Sequence, residues 1–272
     1  MKHSATYIAT LIGLILLLII ALPAAENPQA GSNSSPSQSN SMNIWQARRT
    51  VVAGLSARAY VVTADPASFR FTPDSFEFDA TYRKETQHAK IDLRNLEPVY
   101  SRRKGFGWGN VCVLRNKDGR KLAHPLSEKE FWEGDPAAAA ESLAASLNRL
   151  REFAIDSDSP LRNFPQRAAA WRALATKPPL PEEVRVQRLL AESAVKEKKP
   201  AEALSRYETG LELYPTWPQG YFNAALIAAE LGYFPEAVEH MQAYLELIPD
   251  APDAQSARDQ IAIWQYKAKG TR

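Results

Sequence analysis

The sequence predicts an α+β protein with two folded domains: a small antiparallel β-barrel or sandwich with a C-terminal helix, followed by all-α helical hairpins. Three observations lead to this prediction. Short β-branched and aromatic runs separated by turn signals fill residues 56–126. Apolar residues at helical spacing follow from Ala140 to Ala154. In the last third of the chain, small residues and prolines recur 34 positions apart.

The composition of the 272-residue chain fits globular domains and excludes several classes of protein. Apolar residues make up 45% and charged residues 24%, which is enough apolar material for a packed core. The net charge of +2 excludes a uniformly basic nucleic-acid binder, so nucleic acid is not an expected partner. One cysteine, Cys112, excludes an intramolecular disulfide framework and a cysteine-based zinc site.

The N-terminus predicts a signal peptide or a membrane anchor over residues 1–25. The segment Ser4–Ala25 carries no charge, and after Lys2 the next basic residue is Arg48. This asymmetry favours export of the remainder to the cell envelope, either free in the periplasm or anchored in the inner membrane. Cleavage and retention both stay open, since no A-x-A motif ends the apolar run. The composition of residues 26–43, rich in Ser, Asn, Gln and Pro, predicts a disordered linker.

Strands are expected where apolar residues alternate between turn signals. Phenylalanines from Phe69 to Phe78 fall at two-residue steps on either side of the turn signal Thr72–Ser75, which predicts two paired strands. The Asp118-Gly119 pair lies between two further short runs, Val111–Arg115 and Arg120–Ala123, and predicts a tight hairpin. Together the segments predict five to seven antiparallel strands.

A helix is expected to close this β-rich domain, which we place at residues 50–155. Asp135 is a suitable N-cap, and Pro136 suits the first helical position because its missing N–H costs nothing there. A strand run closed by one amphipathic helix resembles a pleckstrin-homology or GRAM-like domain in order and shape. An unrelated α+β domain is the alternative.

Basic residues cluster in the segments expected to form loops of this domain. If these loops converge, they could contact lipid phosphates or an acidic protein, and the alternative is a set of solvated hairpin tips. The candidate anion-contacting residues are Arg102, Arg103, Lys104, Lys117, Arg120 and Lys121.

The last third contains two similar units, Val184–Trp217 and Pro218–Ala251, after a linker with a short helix at residues 156–183. Ala203 and Ala237 are 34 positions apart, as are the prolines that close each unit. Small residues at such positions let helices approach closely. In this register the segment 184–272 resembles a tetratricopeptide repeat protein, with Ala254–Ala268 as a capping helix.

The resemblance implies a concave groove that binds a protein or peptide, lined by the first helix of each unit. The groove residues by the family's pattern are Arg185, Arg188, Glu192, Gln219, Phe222, Asn223 and Leu226. From Tyr207 to Ala257 the chain carries acidic residues and no Lys or Arg, which predicts an acidic convex face, with simple solubility as the alternative.

The chain carries no recognisable catalytic or cofactor motif. Its four histidines are far apart, and no G-x-S-x-G sequence or phosphate-binding glycine loop occurs. We therefore expect no enzyme activity, no metal, no cofactor and no small-molecule substrate. The expected function is an exported or membrane-anchored protein-interaction scaffold, and the alternative is a lipid-binding module at the membrane surface.

Overall fold

The computed structural model describes residues 42–57, 62–82, 84–104, 108–118, 128–131 and 135–270, which belong to one compact unit. The predicted signal peptide or anchor lies outside the described residues, as does the linker up to residue 41. In the described part, every helix is too short or too polar to cross a lipid bilayer.

The fold is α+β, as the sequence predicts. The described residues contain seven antiparallel strands followed or flanked by eight α-helices. The strands are β1 Val62–Ala64, β2 Arg70–Phe71, β3 Ser75–Tyr82, β4 Glu85–Asp92, β5 Tyr100–Lys104, β6 Trp108–Val113 and β7 Glu128–Phe131. The helices are α1 Ile44–Ser56, α2 Pro136–Ile155, α3 Phe164–Ala173, α4 Glu182–Lys196, α5 Pro200–Leu213, α6 Pro218–Glu230, α7 Phe234–Leu247 and α8 Ala254–Gly270.

The strands form two separate antiparallel sheets. In the first, β3 is central: β4 runs along one edge, and β1 and β2 share the other edge. In the second, β6 lies between β5 and β7. Among the described strands neither sheet closes on itself, so this part of the chain contains no closed barrel.

The phenylalanine run forms the predicted strand pair. The amide of Thr72 donates to the carbonyl of Ser75 at 2.8 Å, and this turn brings Phe71 opposite Phe76. Phe76 and Phe78 are buried, and their rings stack at a centroid distance of 5.9 Å. Alternation along the strand therefore places these aromatic rings together in the core.

The prediction of a tight hairpin at Asp118-Gly119 is wrong for β6, the strand that precedes this turn signal. Val111 pairs with Arg102 on one side and with Glu130 on the other, so both edges of β6 are occupied. The predicted partner run Arg120–Ala123 lies outside the described residues. The sequence signal was misleading because a turn dipeptide shows where the chain can reverse and does not identify the strand that pairs.

Helix α2 confirms the predicted closing helix. The Asp135 carboxylate accepts hydrogen bonds from the amides of Ala137 and Ala138, both at 3.1 Å. The apolar stripe of α2 is buried against α1 and the second sheet, with Leu143 and Leu147 fully covered.

The remaining helices form a layered stack in which α4 packs on α5, α5 on α6, α6 on α7 and α7 on α8. Ala203 and Ala237 are fully buried, as expected for small residues at close helix contacts. Helix α3, in the segment expected to be a linker with a short helix, packs against α7, and Phe164 contacts Tyr221 edge to face at 5.4 Å between ring centroids.

Helix α1 was not predicted, and it crosses the boundary placed at residue 50. Asn43, assigned to the disordered linker, is buried and caps this helix. Its side chain accepts from the amide of Gln46, whose side chain accepts in turn from the amide of Asn43. This is a capping box, and buried apolar residues follow it at helical spacing through Leu55.

Candidate functional site

The seven groove residues assigned by the repeat resemblance lie on two helices, α4 and α6. Arg185 and Gln219 are exposed, and the other five are half-buried: Arg188, Glu192, Phe222, Asn223 and Leu226. None is sequestered in the core, because the core-facing positions of these helices are taken by small or apolar residues such as Ala191 and Ala225.

Three of the seven are brought together around the hydroxyl of Tyr207, on α5. The Asn223 amide donates to this hydroxyl at 3.1 Å. Arg188 and Glu192 face each other at 3.7 Å between Nε and Oε1, and both act electrostatically on Tyr207. Burial, reinforced by the negative charge of Glu192, raises the pKa of Tyr207 to about 12. The phenol therefore stays neutral and holds the Asn223 side chain in place.

The other groove residues have separate surroundings. The Phe222 ring packs edge to face on Tyr244 at 5.1 Å, and the Tyr244 hydroxyl donates to Asp253 at 2.7 Å. The Arg185 guanidinium is held by Glu182 one turn earlier. These residues of α4 and α6 thus present a half-buried aromatic ring, an oriented amide and a charged pair.

Gln219 lies apart from this set, at the edge of a cleft of about 650 Å³. The cleft is bounded by the end of α3 and by the segments that follow α5 and α7. Trp171, Tyr214 and Trp217 supply its aromatic walls. Sequence reasoning missed this cleft because its walls come from segments far apart in the chain.

Two of the basic residues proposed for anion contact lie in a strand and not in a loop as expected. Arg102 and Arg103 are exposed but lie within strand β5. Consecutive strand residues point to opposite faces of a sheet, so these two guanidinium groups diverge. Lys117 is exposed in a turn. Arg120 and Lys121 lie outside the described residues, as does the side chain of Lys104.

A larger charged cluster, which sequence analysis missed, joins α1 to the second helix of each hairpin. Arg49 binds Glu208 with two hydrogen bonds of 2.7 Å and also contacts Glu236. Beside it, Arg48 pairs with Glu239 at 3.0 Å. The carboxylates belong to the acidic stretch that was expected to form an acidic convex face. Here they are neutralised by arginines of the same chain.

Burial makes this cluster electrostatically strong. The side chain of Glu208 is 0% exposed, and burial alone would raise its pKa. Arg49, together with His240 at 3.6 Å, outweighs that effect and holds the pKa of Glu208 below its ordinary value. Burial raises the pKa of Glu236 to about 7, although Arg49 opposes the rise. Burial also lowers the pKa of Arg49, but its two carboxylate partners raise it overall.

Polar and aromatic contacts extend the same interface at both ends. The Glu212 carboxylate accepts from the amide of Ile44 and from Arg149 of α2 at 2.9 Å. The Trp45 ring lies 5.1 Å from that of His240, which is fully buried. Two sequence signals were available. One was the capping box at Asn43 followed by two arginines, and the other was the distant acidic stretch without Lys or Arg. Only the fold shows that these segments meet.

Within the described ranges, no three His, Cys, Asp or Glu side chains are grouped so as to hold a metal ion. Cys112 is buried, and burial raises the pKa of its thiol to about 12. Comparison with known proteins gives no family: no protein-family model matches the chain, and neither does any curated protein.

Proposed function

We propose that the protein is a non-catalytic scaffold that binds an extended segment of a partner protein along α4 and α6. The observation that carries this proposal is the contrast between two faces of the helical hairpins, one formed by α5 and α7 and the other by α4 and α6. The face formed by α5 and α7 is occupied by α1 through Arg48 and Arg49. The groove residues on α4 and α6 keep their exposure. A partner therefore has access to the groove without displacing part of the fold.

The backbone supports the tetratricopeptide-like register. Helices α5 and α7 begin 34 positions apart, at Pro200 and Phe234, and also end 34 positions apart. The turns before them share a left-handed residue at equivalent positions, Lys198 with φ of 58° and Gly232 with φ of 81°. In each turn the amide of the next residue closes a backbone hydrogen bond of 2.8 to 2.9 Å to the preceding helix. Such agreement between two units in helix spacing and turn geometry is typical of repeats.

The binding site can be tested without knowing the natural partner. Peptides are first selected from a displayed random library for binding to the full chain. Their affinity for the wild-type protein is then measured by calorimetry. We expect Phe222→Ala to weaken the selected peptides about tenfold or more, because truncating a central aromatic contact typically costs more than ~1 kcal/mol. Asn223→Ala should weaken them through loss of the amide held by Tyr207.

The matched control is Tyr266→Ala. Tyr266 is the most exposed of the large apolar side chains in the described part, at 79%, and lies on α8, which contributes none of the seven groove residues. Its truncation should leave peptide affinity unchanged. If both groove variants fold and bind the selected peptides as tightly as wild type, the groove assignment is wrong.

The alternative function, lipid binding through basic residues of the β-rich region, predicts a different outcome. Reversing the charge of Arg102 and Arg103 should then abolish salt-sensitive sedimentation with anionic vesicles. The scaffold proposal expects no change from this double reversal. Their divergence on strand β5 is the reason we favour the scaffold.

Export of the folded body is part of the same proposal. It is supported by the uncharged segment Ser4–Ala25 and by the absence of basic side chains between Lys2 and Arg48. A reporter enzyme fused after Arg272 should be active only on the outer side of the membrane. Reporter activity in the cytoplasm would contradict this placement.

A further inference from the structure

The contact of α1 with α5 and α7 depends largely on long polar side chains. Helix α1 packs extensively on α2 of the β-rich region, whereas its backbone comes close to that of α5 at few positions. Arg49 reaches across to Glu208 and Glu236, and Arg48 reaches across to Glu239. Polar contacts of this kind between two parts of one chain resemble transient interfaces, which open and close more readily than a continuous apolar core. This contact is therefore a place where the fold can open locally.

The innermost charges of this contact do not balance. Arg49 carries one positive charge and binds two carboxylates, those of Glu208 and Glu236, whose side chains are 0% and 14% exposed. The neighbouring pair of Arg48 with Glu239 is balanced by itself. An uncompensated charge in a buried place is costly. The group formed by Arg49, Glu208 and Glu236 is neutral only when it binds one proton.

Glu236 is the group that takes this proton. Glu208 already receives two hydrogen bonds from Arg49, and burial raises the pKa of Glu236 to about 7. The other candidate is His240, which is fully buried beside Trp45, with its Nε2 atom 3.6 Å from Oε1 of Glu208. In the described part of the chain neither ring nitrogen has a partner within hydrogen-bond distance, so the second N–H of a protonated ring would stay unsatisfied.

The remaining charged and titratable groups on the surrounding elements have other contacts. The groups that act directly on Glu236 are Arg49, Glu208 and His240. The remaining ones are Glu212 of α5, paired with Arg149; Tyr221 of α6, whose pKa is raised by burial; Tyr233, whose ring faces the Arg49 guanidinium; Arg172 of α3, which donates to the carbonyl of Glu246; and Lys267 of α8, which lies over the Phe234 ring.

We propose that this contact is a proton-controlled latch, in which α1 is held on α5 and α7 while Glu236 carries a proton and separates more often once that proton is lost. Water surrounds Glu236 when α1 has separated, and its pKa then returns to the ordinary value of 4.5. Opening therefore releases one proton, and the open fraction should rise by up to about tenfold per pH unit between pH 5 and 7. The latch is independent of the peptide groove, because it uses none of the seven groove residues.

Thiol labelling of the full chain measures the opening. His240→Cys places a thiol beside Trp45, where a maleimide reaches it only after α1 has moved away, and it also removes the second titratable group. Dividing its labelling rate by that of Tyr266→Cys, at a position 79% exposed in the wild type, removes the intrinsic pH dependence of the thiol. The wild-type chain is the blank, since Cys112 is 0% exposed. We expect the corrected rate to rise at least tenfold from pH 5 to pH 7.

Glu236→Gln in the His240→Cys background tests the carrier of the proton. Glutamine has the shape of the protonated carboxyl and cannot ionise, so the corrected labelling rate should stay constant from pH 5 to pH 7. Glu230→Gln is the matched control, because Glu230 is exposed at the end of α6, and it should keep the full rise. A rise in Glu236→Gln as steep as in its parent would overturn Glu236 as the group that controls the latch.

A thiol elsewhere in the stack separates opening of the latch from unfolding. Ala191 is 0% exposed on α4, so Ala191→Cys reacts only when the helical stack unfolds. The latch requires His240→Cys to be labelled faster than Ala191→Cys at pH 7, and equal rates would overturn it. Ser205→Cys is a second reporter, because the Ser205 hydroxyl accepts from Gln46 of α1 at 2.6 Å. It takes the place of His240→Cys in every comparison if circular dichroism shows that His240→Cys does not fold.

Discussion

The two faces of the helical hairpins use polar residues in different ways. One face, formed by α5 and α7, is covered by α1, and we call it the α1 face. There Arg49 binds Glu208 and Glu236 in a buried network that lies between three helices. On the groove face, one hydrogen bond of 3.1 Å orients Asn223, and the charged groups remain in contact with solvent. The same hairpins thus have one face, on α5 and α7, that α1 covers, and another, on α4 and α6, that stays in contact with solvent. An acidic stretch of sequence need not be an acidic surface.

The α1 face also joins the two halves of the molecule. Helix α1 packs on α2 and β1 of the β-rich region and on α5 of the helical region. Because α1 precedes the β-rich region in the chain, its arginines meet carboxylates more than 150 positions away. The α1 face should therefore carry stability, and the groove face should carry little.

The largest expected effect comes from Arg49→Ala. This change leaves Glu208 and Glu236 buried without their cation, and breaking a buried ion pair by removing one partner typically costs ~3–5 kcal/mol. We expect the free energy of unfolding to fall by that order, measured by urea denaturation of the full chain. Arg185→Ala removes an exposed pair with Glu182 and should leave the denaturation midpoint unchanged. Equal midpoints for the two variants would remove the distinction between the faces.

Overpacking inside the hairpins is expected to rank second. Ala237 is 0% exposed, so Ala237→Leu must push neighbouring helices apart, at a typical cost of ~1–3 kcal/mol. Ala262→Leu is the matched control because Ala262 is exposed on α8. Thermal melts should show a lower melting temperature for Ala237→Leu alone. If Ala237→Leu melts like wild type while Phe222→Ala unfolds the protein, the helix register is wrong.

The pH dependence of stability is expected to rank third. The pKa of Glu236 is raised in the fold to about 7 from its ordinary value of 4.5, so folding favours its protonated form. Its contribution is present below pH 4.5 and is lost as pH rises towards 7. Glu208, with a lowered pKa, acts oppositely: its contribution is lost as pH falls below 4.5.

Glu236→Gln should abolish the loss of stability between pH 4.5 and 7, measured by denaturation at several pH values. Glu230→Gln is the control, because Glu230 is exposed at the end of α6. An unchanged pH profile in Glu236→Gln would show that the α1 face does not place this carboxyl in a buried setting.

The smallest expected effect is a gain in stability, caused by a substitution in a turn that belongs to neither face. Lys198 adopts a left-handed conformation with φ of 58°, where glycine is unstrained. Lys198→Gly should therefore raise the free energy of unfolding by up to ~1 kcal/mol. Ser193→Gly, at an exposed position inside α4, should instead lower it because glycine weakens a helix interior. A loss of stability in Lys198→Gly would contradict the shared geometry of the two turns.

Local patterns predicted those parts of the fold whose partners lie close in the chain. The Asp135 cap, the phenylalanine strand pair and the buried stripe of α8 that includes Trp264 all depend on neighbouring residues. The candidate groove residues were named from the resemblance to the tetratricopeptide pattern, and all seven are exposed or half-buried in the structure. The contacts of α3 and the pairing of β6 could not be predicted, since each depends on a choice among distant partners.

The sequence by itself determined the α+β class, most helix positions and the close-contact alanines, because propensity, capping and hydrophobic period act over a few residues. The tertiary structure decided which charges are paired. Glu208 and Glu236 were expected on an acidic surface, and folding instead brings Arg49 of α1 onto both of them. Coulombic attraction depends on distance in space and on burial, and neither can be read from positions in the chain.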